Sequence, residues 1–449
     1  MKVWRRVGVV VLAAALAGCA HVGGGEAKEA APAKKVILMI GDGMGFNAVC
    51  VTSLYEYGEG GRLEYESFPV RLACSTYSAD GTSYDPAAAL SGFNFPKAGA
   101  TDSAAAATAL ATGVRTHNGM LGLGPDGQRL ANVREYAESL GKSTGVVTTV
   151  PFSHATPAGF VAHNPSRNDY EGIAREMLGS DAEVIMGCGH PEFDADGARL
   201  AAPADYSFVG GADVFAGLLD GTLPAADCDR DGTPDPWAFV QRRDEFVALR
   251  RGEAPKRVVG VAQVAQTLQQ DRGGDAMAPP YEVPLTESVP TLAQMTQAAL
   301  NVLDDDPDGF FVMVEGGAID WTCHASQPGR LVEEMVDFQR AVEAVVAWVE
   351  GHGGWRETLV IVTADHETGY IWGPGSGETW EPVVGTGLGR LPLFTFYYGD
   401  HTTSLVPLYA RGAGADLLRG KLRGTDPVRG SYVDNTDVAN AIREAMGGE

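Results

Sequence analysis

Asp102 and Ser103 stand at the head of the run Ser103-Ala104-Ala105-Ala106-Ala107-Thr108-Ala109-Leu110-Ala111-Thr112. Alanine is the strongest helix former, so the run predicts a helix that Thr101 or Asp102 can cap. A helix N-terminus presents unpaired N–H groups and a partial positive charge, which favour a bound anion and a developing alkoxide. A serine at that end, facing an acidic metal site, reads as a nucleophile that attacks phosphorus. Taken alone, a buried alanine-rich helix with a capping serine would look the same.

Four apolar runs decide between these readings. Val36–Ile40 ends in Gly41-Asp42-Gly43-Met44-Gly45, and Phe310–Val314 runs into Glu315, Asp320 and His324. Leu359–Thr363 leads to Ala364-Asp365-His366-Glu367, and Val146–Val150 leads to Pro151, Ser153, His154 and Thr156. Unbroken apolar runs suit strands covered on both faces, as in a parallel sheet. Each delivers its polar residues just past its C-terminal end, the edge at which open α/β sheets bind ligands. His401 is the candidate ligand nearest the C-terminus. His352 competes with it, but Glu350-Gly351-His352-Gly353-Gly354 reads as a loop ending a helix.

The elements that must position these residues alternate strand and helix nearly end to end. With 449 residues, 45% of them hydrophobic, the chain can bury a large core. This predicts one α/β domain over 34–449, with helices opening at Ser288-Val289-Pro290-Thr291 through Leu303 and over residues 330–350. Between about 190 and 285 the pattern weakens and Gly, Pro and Asp accumulate, so a peripheral insertion is expected there. The insertion holds Asp227, Asp229, Asp231 and Asp235, whose spacing resembles the front half of a calcium loop. The closing glutamate is absent, because Ala238 stands in its place.

The net charge of −24 excludes a general nucleic-acid binder. It leaves an anionic substrate open, since bound cations can reverse the sign locally. Lys2, Arg5 and Arg6 precede an apolar stretch over Val7–Ala17, too short to span a bilayer and suited to an export signal. Leu16-Ala17-Gly18-Cys19 resembles a bacterial lipoprotein processing box, which would make residues 1–19 the leader and Cys19 a lipidated membrane attachment. Residues 20–33 read as a flexible tether. An exported, periplasmic or outer-membrane-anchored lipoprotein is therefore expected. Five cysteines remain: Cys50, Cys74, Cys188, Cys228 and Cys323. The count is odd, and the spacing assigns no pairing. Cys323 lies between two candidate ligands and is expected to pack in the core.

Taken in order and spacing, Gly41–Gly45, Thr101–Gly113 with Asn118-Gly119, Ala155-Thr156-Pro157, Ser166-Arg167, Glu315–His324, Thr363–His366 and His401 resemble the alkaline phosphatase family over most of residues 34–447. The resemblance implies a three-layer α/β sandwich with a central, mostly parallel sheet and peripheral insertions. It implies phosphate monoester hydrolysis through a phosphoserine on Ser103. One zinc ion would take Asp320, His324 and His401, and a second would take Asp42, Asp365 and His366. Magnesium would take Asp42, Thr156 and Glu315, with His154 nearby. Arg167 would clamp two phosphate oxygens, oriented by Asp102. Small phosphate monoesters would be the partners, with no nucleic acid as specific partner, and the family allows a homodimer or a monomer.

Alternatives within the superfamily fit less well. A phosphodiesterase usually lacks the third metal site and prefers a threonine nucleophile. A sulfatase needs a formylglycine motif, and alanines follow Ser103 instead. A non-catalytic phosphate-binding surface protein should have lost a ligand or the nucleophile, and every position is filled. Two positions vary within the family. His154 stands where some members carry aspartate, and Trp321 where some carry a lysine or histidine that reaches phosphate through water. Without a cation at 321, product phosphate should be held loosely. Trp321→Lys should tighten inhibition by inorganic phosphate several-fold in steady-state assays, and unchanged inhibition would refute that role.

Overall fold

The computed structural model describes residues 32–448, so the leader, Cys19 and nearly all of the tether lie outside the described residues. The folded body begins one residue earlier than expected. Ala33 is buried, and its N–H donates to Ala445 O at 2.6 Å.

The apolar runs become neighbours in one eleven-stranded sheet. Across it the order is Gly424–Asp426, Gly430–Asp434, Val70–Ser75, Val406–Gly412, Thr358–Thr363, Lys35–Gly41, Phe310–Gly316, Ser143–Pro151, Val184–Cys188, Val258–Val261 and Ala238–Val240. From Thr358–Thr363 to the far edge all neighbours are parallel. Val406–Gly412 runs antiparallel between Thr358–Thr363 and Val70–Ser75. The central strands are buried from end to end, as a sheet covered on both faces requires.

Register explains how residues far apart in sequence meet. Ile40 lies beside Glu315 on one side and Thr363 on the other, and Glu315 lies beside Thr148. Asp42, Glu315 and Asp365 therefore leave the sheet at one level along its C-terminal rim.

Two helix groups flank the sheet. Leu292–Leu303 packs on Pro328–Gly351, and Ser103–Thr112 packs on Ala155–Gly159 and Asn435–Ala445. Alanines let the last group come close. A Cβ at Gly159 would sit 2.7 Å from the Ala107 Cβ, so neither position tolerates bulk. The helix beginning near 288 starts at Leu292, where Thr291 accepts from Gln294 N and Gln294 answers in a capping box. The helix expected over 330–350 starts at Pro328, two residues earlier, because proline suits a first turn.

The weakly patterned segment is not wholly peripheral. It supplies Val258–Val261 and Ala238–Val240, the last two strands of the sheet. Runs of four and three residues are too short for a periodic signal. All five cysteines in the described residues are free thiols, and Cys323 is fully buried. Among the described residues no helix is long and apolar enough to cross a membrane.

A buried charged network ties residues 269–285 to the long helix. Arg272 pairs with Glu333 at 2.8 Å and donates to the carbonyls of Pro284, Gln269 and Val283. Glu334 beside it is 4% exposed, and its Oε1 has no hydrogen-bond partner. Burial, then Asp337 and Glu333, push its carboxyl from 4.5 up to about 8. The folded state thus holds a proton that the unfolded chain releases, so this group's contribution to stability falls as pH rises between those values. Glu334→Gln should gain melting temperature relative to wild type as pH rises across that window, by about 2 °C or more. Calorimetry showing a pH-independent difference would contradict this.

Candidate active site

Ser103 is the first residue of its helix, and Asp102 is the N-cap, with Asp102 Oδ1 accepting from Ala105 N at 2.9 Å. The second oxygen of Asp102 accepts from Gly119 N at 2.9 Å and from Arg167 Nη1 at 3.0 Å. One carboxylate thus orders the Ser103 helix and aims the guanidinium. Ser103 and Arg167 line a single cleft of about 590 Å³ with Asp320, Trp321, His324 and His401.

The Ser103 Oγ lies 3.2 Å from His366 Nε2. The hydrogen-bond network assigns that histidine's tautomer. Thr368 Oγ1 donates to Asp320 Oδ1 at 2.6 Å and faces His366 Nδ1 at 3.2 Å. The hydroxyl has one proton, so Nδ1 donates to it and Nε2 carries a lone pair. That lone pair meets Asp365 Oδ2 at 3.1 Å and Asp42 Oδ1 at 3.5 Å. Both oxygens are buried and lack a hydrogen-bond partner. Three electron-rich atoms therefore converge, an arrangement that a positive charge relieves.

The neighbouring group repeats this logic. His401 Nδ1 donates to Thr101 O at 2.9 Å, and His324 Nδ1 donates to Gly399 O at 2.8 Å. Their Nε2 atoms then face each other at 3.1 Å. Asp320 completes the group, 3.2 Å from His324 Nε2 and 3.6 Å from His401 Nε2. Backbone carbonyls that fix a ring's tautomer are the usual support of a histidine metal ligand. Asp400 also falls within reach of His324 and His401.

The site's electrostatics show the same hunger for positive charge. Burial, then Asp365 and Asp320, drive the Asp42 carboxyl well above its usual range. Burial lifts Asp365 to about 6 and Glu315 to about 8. Burial would raise Asp320 as well, but the His324 hydrogen bond and the His401 charge hold it well below the usual range. Burial alone would lower His324, and Asp320 instead lifts it to about 9. Burial and then His401 hold His366 well below its normal value.

The third group gathers Asp42, Glu315 and Thr156. Thr156 Oγ1 is buried and unpartnered, and Glu315 Oε2 accepts from Thr148 Oγ1. Oxygen donors alone suit a hard cation such as magnesium. His154 caps the short Ala155–Gly159 helix, stacks on Tyr170 at 5.5 Å and meets Trp321 edge-on at 5.3 Å. Burial, with Arg167 adding to it, depresses this histidine to about 3, so it is neutral.

Close approach sets the backbone here. Gly43 has φ +71, and a Cβ there would sit 2.9 Å from Asp320 Cα, so no other residue lets this turn meet the Ala318–His324 helix. His401 arrives on a two-residue strand that pairs with Glu367–Thr368. His352 instead stacks on Trp348 at 4.5 Å, where the long helix ends.

The acidic loop lies elsewhere, beside Lys142, Ser143 and Glu183 near the N-terminal ends of their strands. Asp227, Asp229 and Asp235 come together there. The ammonium of Lys256 contacts Asp229, Asp231 at 3.3 Å and Asp235 at 3.5 Å. A side-chain cation thus meets this cluster, and Ala238 opens a strand where a closing glutamate would stand.

Several residues of the site escape sequence reasoning. Thr148 and Thr368 orient Glu315, His366 and Asp320, and Asp400 sits beside His401. Two of them stand one or two residues from a recognised ligand, which is the only signal present. Gln266, Gln270 and Asp271 line the cleft from the unpatterned segment and leave no signal.

Comparison with known proteins identifies the family. The sequence profile of the alkaline phosphatase family matches residues 33–399. Alkaline phosphatase H of Pseudomonas aeruginosa is 34% identical, over 92% of this chain and 85% of that protein. The alkaline phosphatase of Escherichia fergusonii is 31% identical, over 93% and 86%. Among solved structures, Thermus thermophilus alkaline phosphatase shares the fold with TM-score 0.64 at 23% identity, covering 97% of this chain and 96% of that one. The chain belongs to the alkaline phosphatase family and is a phosphoric monoester hydrolase.

Proposed function

We propose that the protein hydrolyses small phosphate monoesters outside the cytoplasm through Ser103, with two zinc ions and one magnesium ion. The observation that carries this reading is the Ser103 Oγ at a helix N-terminus, 3.2 Å from His366 Nε2 and in one cleft with Arg167. Asp320, His324 and His401 would hold one zinc, and Asp42, Asp365 and His366 the other. Asp42, Thr156 and Glu315 would hold magnesium. The donor sets fit, because their lone pairs converge and Asp42, Asp365 and Thr156 each keep an unpartnered buried oxygen. When bound, the cations supply charge that lowers the cost of ionising a hydroxyl and neutralises the phosphate oxygens.

The chain's own residues do the remaining work. Arg167 presents its planar fork to two phosphate oxygens, held by Asp102. The helix N-terminus favours negative charge on Ser103 and on the phosphate. Ser103 Oγ bonds to phosphorus as the bond from phosphorus to the leaving oxygen breaks, and the alcohol departs. Water then attacks phosphorus, the Oγ–P bond breaks, and inorganic phosphate and free serine result. The group that Ser103 and Arg167 recognise is the phosphate, so these two residues set no requirement on the leaving group. The leader through Cys19 supports export and lipid anchoring at the periplasmic side of a membrane.

Ser103→Ala should lower p-nitrophenyl phosphate turnover at least about a hundredfold while phosphate still binds. Full retained activity would remove Ser103 from the mechanism. Faster turnover of a bis-aryl diester than of the monoester would overturn the monoesterase reading.

A further inference from the structure

Chemistry at phosphorus uses only part of the cleft. Its lining also includes Gln266, Gln270 and Asp271, which follow the Val258–Val261 strand. Gln270 is fixed, its Nε2 donating to Gln327 Oε1 at 3.0 Å. The Gln266 side chain is half-buried and has no hydrogen-bond partner among the described residues. Asp271 is exposed to the cleft, and its carboxylate makes neither an ion pair nor a hydrogen bond among the described residues.

The backbone at Asp271 is anchored by hydrogen bonds on both sides. Asp271 N donates to Thr267 Oγ1 at 2.8 Å. The next residue, Arg272, is spent inward on three carbonyls and Glu333. Arg330 is turned to the carbonyls of Arg272 and Gly273. Neither arginine therefore neutralises Asp271, and Asp196 adds a second negative field beside it. Among the described residues, Arg167 is the only lysine or arginine in the lining, and it is paired with Asp102. Beyond the phosphate-binding end, the cleft thus offers a free carboxylate and a free carboxamide, with no lysine or arginine beside them among the described residues.

We propose that Gln266 and Asp271 receive the leaving group and select for a cationic one. The favoured substrates are phosphate monoesters of amino alcohols, and esters bearing a second anionic group are disfavoured. This rests on the phosphatase reading above. An ammonium beside Asp271 gains Coulombic attraction in a partly enclosed cleft, and a carboxylate meets repulsion of the same size. Gln266 supplies a carbonyl acceptor to either an ammonium or a hydroxyl.

Three two-carbon substrates separate the effects: ethanolamine phosphate, hydroxyethyl phosphate and phosphoglycolate, ending in ammonium, hydroxyl and carboxylate. The metal-loaded full chain should show kcat/KM in that order at mildly alkaline pH. Asp271→Asn should cut the ammonium-to-carboxylate ratio about fivefold to tenfold. Added salt should compress the wild-type ratio in the same direction. A merely structural role for Asp271 would lower all three substrates together and leave the ratio intact, and that result overturns the proposal. A wild-type enzyme that turns over hydroxyethyl phosphate without preferring the ammonium ester also overturns it, with the phosphatase reading still standing. Failure of the metal-loaded wild type on all three substrates removes both.

Discussion

The constraint on which the structure depends is a crowd of unneutralised lone pairs at the sheet rim. Asp42, Asp365 and His366 present three electron-rich atoms to one point, and Asp320, His324 and His401 present three more. Burying one carboxylate without a partner is costly, and burying several together is worse. The lifted carboxyls of Asp42, Asp365 and Glu315 and the proton-hungry His324 record that tension. Divalent cations would remove it, and the same charge is what a phosphate ester and a serine alkoxide would require. Stability of the site and catalysis therefore draw on one source.

The scaffold makes this crowding possible by rigidity. Parallel register brings strand ends to one level, so side chains separated by hundreds of residues meet without long loops. Small residues then close the distances: alanines along the Ser103 helix, Gly159 against it, and Gly43 against Asp320. Carbonyls and threonine hydroxyls fix which nitrogen of each histidine faces inward. Asp102 couples the helix cap to Arg167, so Ser103 and Arg167 share one anchor.

Much of this arrangement is legible in the order of the amino acids. Acids after unbroken apolar runs announce the rim, because strand burial leaves a direct hydrophobic signature. Ser103 stands out through the alanines that its packing demands. His401 is harder, since it rides on a two-residue strand whose pairing with Thr368 exists only in three dimensions. Val258–Val261 and Ala238–Val240 escape notice as sheet strands because so few residues carry no period. Gln266 and Asp271 are invisible for a different reason. Asp271 stands next to Arg272, which is anchored in a buried network with Glu333, and nothing local marks either residue as lining a cleft.

Diffraction from crystals of the metal-loaded protein, collected on either side of the zinc absorption edge, tests the central claim most directly. Two anomalous peaks should appear near Ser103, one among Asp320, His324 and His401 and the other among Asp42, Asp365 and His366. A map with no peak among those six side chains, in a protein that hydrolyses monoesters, would contradict the account.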